Sequence, residues 1–276
     1  MNPHQSHPIS PWALFVSLTR NRQLVSQMVK REVVGRYRGS IMGLAWSFFN
    51  PLLMLSIYTF VFSVIFKVRW GESVNGGRTN FAILMFSGLI VYSLFAECVN
   101  RAPSLILSNA NYVKKVIFPL EILPCVAFGS ALLHALISLI VLLLAQLLFL
   151  HKLPWTFILF PVILLPLALI TLGVTWFLSS LGVYLRDVAH VVLVLTSVLL
   201  YMSPIFYPIS ALPLHYRRLL ELNPLTYMIS EARNTLIYGR VPDFTSWLEM
   251  TTIASFVAYL GFVWFQKTRK GFSDVL

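Results

Sequence analysis

Six stretches of the chain are apolar almost without interruption: residues 41–66, 81–99, 125–150, 156–184, 189–207 and 247–265. Crossing the hydrocarbon core of a bilayer takes about 20 helical residues. The pattern therefore predicts an all-α membrane protein with six transmembrane helices, forming one transmembrane domain over residues 1–276. Nearly every charged residue lies outside the apolar stretches; Glu97 and Glu249 sit close to a span end. That distribution matches the cost of a charge at the bilayer centre, about 2.5–3.5 kcal/mol on insertion scales. No cleavable leader is read, because the first long apolar run begins near Ile41, too late and too long for one.

The segments between the spans carry their own patterns. Ser10 followed by Pro11 is a helix start, a hydroxyl cap and then proline in the first turn. Leu14, Phe15, Leu18, Val25, Met28 and Val29 then recur at helical spacing, with Arg20, Gln23, Gln27, Lys30 and Arg31 largely elsewhere on the wheel. Residues 10–38 predict an amphipathic helix lying in the membrane interface; packing on a soluble domain is the alternative. Gly35, Gly39 and Gly43 are either a small-residue stripe for close helix approach or a flexible lead into the first span. Asn50-Pro51 should kink that span. The loop over residues 100–124 reads as a short surface helix ending at Phe118-Pro119. Residues 208–246 are too apolar for a loop and too charged for a span. Asn223-Pro224 starts a helix there and Gly239 stops it. Short re-entrant helices before the last span, shielded by protein or a water-filled cavity, satisfy this pattern; so does a capped surface helix.

Composition and charge narrow the function. The chain is 58% hydrophobic and 11% charged, against about 25% charged in a soluble domain. It has 21 Lys+Arg and 10 Asp+Glu. The basic excess lies at the edges of apolar spans, where anionic lipid head groups sit, so membrane lipids and not nucleic acid are the expected partner. One side of the membrane receives Arg20, Arg22, Lys30, Arg31, Arg36, Arg38, Arg101, Lys114, Lys115, Arg186, Lys267, Arg269 and Lys270. The other receives Lys67, Arg69, Arg78, Lys152, Arg217, Arg218, Arg233 and Arg240. The richer side should be cytoplasmic, placing both termini in the cytoplasm.

Chemistry of the chain's own is not visible. Two cysteines make no disulfide framework. The six histidines show no metal-ligand spacing. His134 alone sits mid-span, either hydrogen-bonded to a neighbouring helix or working in metal or proton chemistry. Residues 71–79, GESVNGGRT, lack the lysine of a phosphate-binding loop and read as a turn. Glu97, Glu121, Asp187 and His190 form no recognisable acid–base pair. No catalytic residue, metal or cofactor is expected, and energy for active transport would come from a partner. Aromatic residues are plentiful, 21 Phe, 11 Tyr and 7 Trp. They crowd the first span, including Trp46, Phe49, Tyr58 and Phe62, and the end of the fifth, Tyr201 and Phe206. Aromatic faces stack on the C–H faces of sugar rings; lipid contact and the interfacial belt are the plainer use.

Four stretches now combine. Residues 28–53, MVKREVVGRYRGSIMGLAWSFFNPLL, hold an Arg-acidic pair (Arg31, Glu32), the RYRGS run from Arg36, Gly43-Leu-x-Trp46 and Asn50-Pro51. NYVKKVIFPLEILP at 111–124, SPIFYP at 203–208 and LNPLTYMISEARNTLIYG at 222–239 follow. In this order, over nearly the whole chain, they resemble the polysaccharide-export permeases of the ABC-2 transporter family. The resemblance implies export of O-antigen, capsular polysaccharide or teichoic acid, usually on an undecaprenyl diphosphate or another lipid. It implies a second copy of the chain and two cytoplasmic ABC ATPase subunits, which use the ATP and Mg. Coupling to the ATPase would fall to Arg31, Glu32, Asn109, Asn111, Lys114, Lys115, Phe118, Pro119 and Glu121. The lipid diphosphate would come in near Arg36, Tyr37 and Arg38, with Lys114 and Lys115 close by. Trp46, Phe49, Tyr58, Phe62, Tyr201 and Phe206 would line the conduit. Asn223, Pro224, Tyr227, Glu231 and Arg233 would form a periplasmic gate. The alternatives are a permease for a drug or lipid, a membrane enzyme acting on lipid-linked sugars, and a secondary carrier.

Overall fold

The structure, a computed structural model, describes residues 9–65, 78–113 and 118–276, without the side chains of residues 62–64 and 78–80. The described residues contain helices and turns and no strand. The chain opens with α1 (Pro11–Arg20) and α2 (Arg22–Arg36), where the pattern predicted one helix over 10–38. Ser10 caps α1 as expected, its Oγ accepting the Trp12 N–H at 3.3 Å. The break falls at Asn21, whose Nδ2 donates to the Ser17 carbonyl at 2.8 Å. A short amide side chain competes with the backbone for the last-turn carbonyls and so ends helices. Beyond α2, Gly39 and Gly43 adopt φ of 86° and 50°, which a residue without a Cβ does at no steric cost. Nothing lies within 4 Å of where a Cβ would stand on Gly35, Gly39 or Gly43. Gly35 is still helical, Gly39 and Gly43 turn the chain into the first span, and none of the three packs against another described helix of this chain.

Then come α3 (Trp46–Thr59), extended by a π-helical stretch Phe60–Ile65, α4 (Arg78–Leu105), α5 (Ala110–Val113), α6 (Ile122–Leu150) and α7 (Phe160–Tyr184). The chain finishes with α8 (Val188–Met202), α9 (Leu214–Glu221), α10 (Pro224–Arg233), α11 (Phe244–Thr268) and α12 (Phe272–Val275). Pro51 lies inside α3, which runs on through it. Among the described residues four segments are long and apolar enough to cross a membrane: Phe81–Leu105, Ile122–Leu150, Trp155–Tyr184 and Phe244–Val275. α8 is apolar but shorter, at 15 residues.

α4 is the central helix. Its apolar window is 83% buried in protein, against 28% for α6 and for α11, which leave most of their surface facing outward. Lipid tails are as apolar as leucine, so helices in a bilayer adhere through close packing rather than through removal of apolar surface from water. The tightest crossing shows this. α7 and α11 pack along much of their lengths, and they meet glycine to glycine: a Cβ on Gly261 would overlap the Gly173 backbone, and one on Gly173 would lie 2.7 Å from the Val257 carbonyl. Gly261→Val should therefore lower stability by about 1–3 kcal/mol, seen as a lower melting temperature in detergent. Gly35→Ala, in open space, should not lower it. An unchanged melting curve for the valine variant would mean that the two backbones do not touch.

Two clusters divide the buried side chains. The larger runs through α4, α6, α7 and α10. The smaller gathers Met28 of α2, Leu105, Ile106, Leu120, Trp176, Val183, Phe265 and Phe272 at one end of the bundle. The N-terminal helices and the last helical turn thus share that end. Leu14 and Leu18 of α1 pack into it while Trp12 and Phe15 point away, 70% and 57% exposed, the division an amphipathic interface helix requires.

Candidate functional site

The shared end is organised around one carboxylate. Glu121, buried just before α6, accepts the Ser17 hydroxyl of α1 at 2.8 Å on Oε1 and Arg269 Nη1 at 2.6 Å on Oε2. Arg269 also donates to the Phe118 carbonyl at 2.9 Å, and the Trp176 indole of α7 donates to the Glu121 carbonyl at 3.0 Å. One residue thus ties α1, the loop before α6, α7 and the end of α11. The loop is braced on its other flank by Tyr112 stacked on Phe118, ring centroids 4.4 Å apart, with Arg31 Nη2 of α2 donating to the Tyr112 hydroxyl at 3.1 Å. Of the coupling residues read from the sequence, Arg31, Phe118 and Glu121 meet here. Asn109 instead ties its own turn, Nδ2 donating to the Leu105 carbonyl. Asn111 is exposed. Lys114 and Lys115 lie outside the described residues. Ser17, Trp176 and Arg269 were not among the residues singled out; only the fold brings them to Glu121.

A second charged group sits one step into the bundle. Glu97 of α4 accepts Arg36 Nη2 at 2.5 Å and lies 3.7 Å from Arg101 Nη1, while Arg101 pairs with Glu32 of α2. Arg36 Nη1 is 2.9 Å from His134 Nδ1 of α6, and the same Nδ1 is 3.4 Å from Glu97 Oε2. That nitrogen can accept from arginine or donate to the carboxylate, not both, so its protonation decides which it serves. Tyr37 meets the His134 ring edge-on at 6.2 Å, and Arg38 is exposed. Sequence reading had noted Glu97 and His134 separately. Pairing them needs the register of α4 against α6, which no local pattern carries.

Arg36, Tyr37, Glu97 and His134 close one end of a cavity of about 390 Å³ between α3, α4 and α6. Tyr58 lines it; Trp46 and Phe49 lie exposed on α3, and the Phe62 side chain is outside the described set. Tyr201 stacks on Phe206, centroids 5.9 Å apart, at the end of α8.

At the opposite end of α4 the segment before α11 is pinned from several sides. Asn223 caps α10, its Oδ1 accepting the Leu225 N–H at 3.0 Å, with Pro224 next. Its Nδ2 reaches the Ser203 hydroxyl at 3.1 Å. Arg233, 6% exposed, donates from Nε to the Leu84 carbonyl at 3.0 Å, from Nη1 to Pro204 at 2.5 Å and from Nη2 to Ile205 at 3.0 Å. Burial pulls its pKa down to about 10, so it stays charged at neutral pH. The π-helical stretch Asn234–Tyr238 leaves carbonyls for side chains to take: Gln146 Nε2 donates to Leu236 and the Thr156 hydroxyl to Thr235, at 3.0 and 2.6 Å. Gly239 ends the stretch at φ 69°. Asn234 Nδ2 donates to Glu231, whose carboxyl is pushed up by burial, and burial beside Glu231 takes the Tyr227 hydroxyl up to about 12. Asn223, Pro224 and Arg233 therefore act first as fasteners of this segment.

Comparison with known proteins places the chain in a family. Residues 23–237 match the profile described as ABC-2 type transporter. The O-antigen export system permease protein RfbA of Myxococcus xanthus is 27% identical over 259 residues, 93% of this chain and 96% of that protein. Two proteins of the same description from Klebsiella pneumoniae are 26% and 25% identical over 258 residues, each covering 92% of this chain and 95% of the relative. The family match runs from α2 through α10 and takes in Glu121, the Glu97 group and the cavity, though not Ser17 or Arg269, and the chain belongs to the ABC-2 type transporter family.

Proposed function

We propose that the chain is the membrane-spanning permease of an ATP-driven exporter that moves a lipid-linked polysaccharide, O-antigen foremost, across a bacterial inner membrane. The observation that carries this is the end-to-end likeness to proteins described as O-antigen export permeases. In this reading the chain crosses the membrane six times with both termini in the cytoplasm, α3 and α8 supplying the first and fifth spans. A second copy completes the conduit. Two ABC ATPase subunits, holding the ATP and Mg, dock on α1, α2 and the loop before α6. Their closure pulls on Glu121 and so on α1, α7 and α11 together. Arg36 and Tyr37 receive the carrier's diphosphate, and the pinned segment dips back into the outer leaflet as a gate.

Deleting the gene tests it. The expected result is loss of long-chain polysaccharide from the cell surface and build-up of its lipid-linked form inside. Unchanged surface glycan, or a defect only in drug tolerance, would overturn the reading in favour of a small-molecule permease. Co-purification with an ABC ATPase in detergent is expected, and consistent failure to find one counts against it.

A further inference from the structure

The cavity between α3, α4 and α6 has a two-part lining. Its volume of about 390 Å³ lies at the small end of ligand sites, about 300–1,000 Å³; it takes a head group and not a polymer strand. One end is charged, with Arg36, Glu97 and His134. The body is hydroxyl-rich for so apolar a chain, and polar side chains at membrane depth are expensive enough to mark function. Three of their protons are already committed: Ser93 donates to the Ile90 carbonyl, Ser138 to the His134 carbonyl and Tyr92 to the Thr196 carbonyl. A hydroxyl that has given its only proton can offer just its lone pairs. The wall at Ser93, Ser138 and Tyr92 therefore presents acceptors, and the exposed Asn50 amide adds a further acceptor beside its own donors. At the charged end His134 Nε2 is buried with no hydrogen-bond partner among the described residues, a state that calls for one. The complementary ligand carries several hydroxyl donors beside an anion that a guanidinium can grip.

We infer that this cavity binds a glycosyl diphosphate, the sugar against Asn50, Ser93 and Tyr92 and the diphosphate on Arg36 in place of Glu97. The site then recognises the first sugar of the lipid-linked chain and not merely its lipid anchor. This rests on the export reading above and adds the identity of the recognised group.

The test uses the full chain in phosphatidylcholine nanodiscs. The probes are farnesyl diphosphate bearing one N-acetylglucosamine and bare farnesyl diphosphate. The glycosylated probe should bind about tenfold tighter, the worth of one or two hydrogen bonds. Asn50→Ala and Ser93→Ala should erase that preference while binding the bare probe as before; both side chains are exposed, so neither change disturbs packing. Arg36→Ala should weaken both probes. Equal affinity for the two probes, or a preference that survives both alanine variants, overturns the inference. So does complete competition by phosphatidylglycerol nanodiscs, which would make the cavity a general site for anionic lipid. The two readings separate cleanly. Absent preference with export blocked by deletion removes only the sugar site. Preference with export intact removes only the export reading.

Discussion

Arg233→Ala should destabilise the protein by about 2–6 kcal/mol, the cost of stranding two buried carbonyls. The guanidinium is 6% exposed and holds the carbonyls of Leu84, Pro204 and Ile205. Alanine leaves the Pro204 and Ile205 carbonyls facing apolar surroundings, while the Leu84 carbonyl keeps the Ser87 hydroxyl; each buried group left without a partner costs about 1–3 kcal/mol. The position cannot be served by lysine, whose ammonium is a point charge lacking the planar fork that spans separated acceptors, so Arg233→Lys should recover only part of the loss. Gly88 supplies a second approach: a Cβ there would stand 3.0 Å from Arg233 Nη2, and Gly88→Val should push the guanidinium off its carbonyls. Melting temperature in detergent reads all three variants. Wild-type melting of Arg233→Ala would show that the buried arginine does not fasten the segment.

The other large effect belongs to Glu121. Its side chain and that of Arg269 are each 10% exposed. Glu121→Ala leaves a mostly buried guanidinium without its carboxylate, costing about 3–5 kcal/mol. The double variant Glu121→Ala/Arg269→Ala should be more stable than the single one, because the stranded charge is gone; such non-additivity is the mark of a direct pair. Strictly additive losses would mean that the two groups do not interact. In the complex with the ATPase, Glu121→Gln keeps an acceptor for Ser17 but loses the ion pair. It should hydrolyse ATP with export reduced, since the loop would no longer pull α1 and α11 together.

Local chemistry in the sequence announced the element ends. Ser10-Pro11 and Asn223-Pro224 open helices and Gly239 closes one, each where its side chain or its lack of a Cβ demands. The apolar runs announced the long helices, because length and composition are enough to read them. What stayed hidden depends on contacts far apart along the chain. The break at Asn21 is the local exception, an amide bonded to a carbonyl four residues back within a stretch whose apolar spacing is continuous. Arg233 resembles any gate-lining arginine until three carbonyls from two other parts of the chain close on it. Glu97 and His134 are 37 positions apart, and Glu121 and Arg269 are 148 apart; pairing them needs the helix packing itself. The gate and conduit roles are of the same kind, since a second copy would shape them.

The glycine contact between α7 and α11 bears on how such a molecule moves. Where Gly173 meets Gly261 no side chain separates the two backbones, and nearer the Glu121 end Trp176 packs on Phe262 and Phe177 on Trp264, so the two helices have little room to slide or roll past each other. They form a single rigid beam, continuous with the Glu121 knot through Trp176 and Arg269. A displacement imposed at that knot should therefore move α7 and α11 together. The parts left to give way are α3 and α8, whose outward faces carry exposed residues such as Phe60, Val194 and Tyr201.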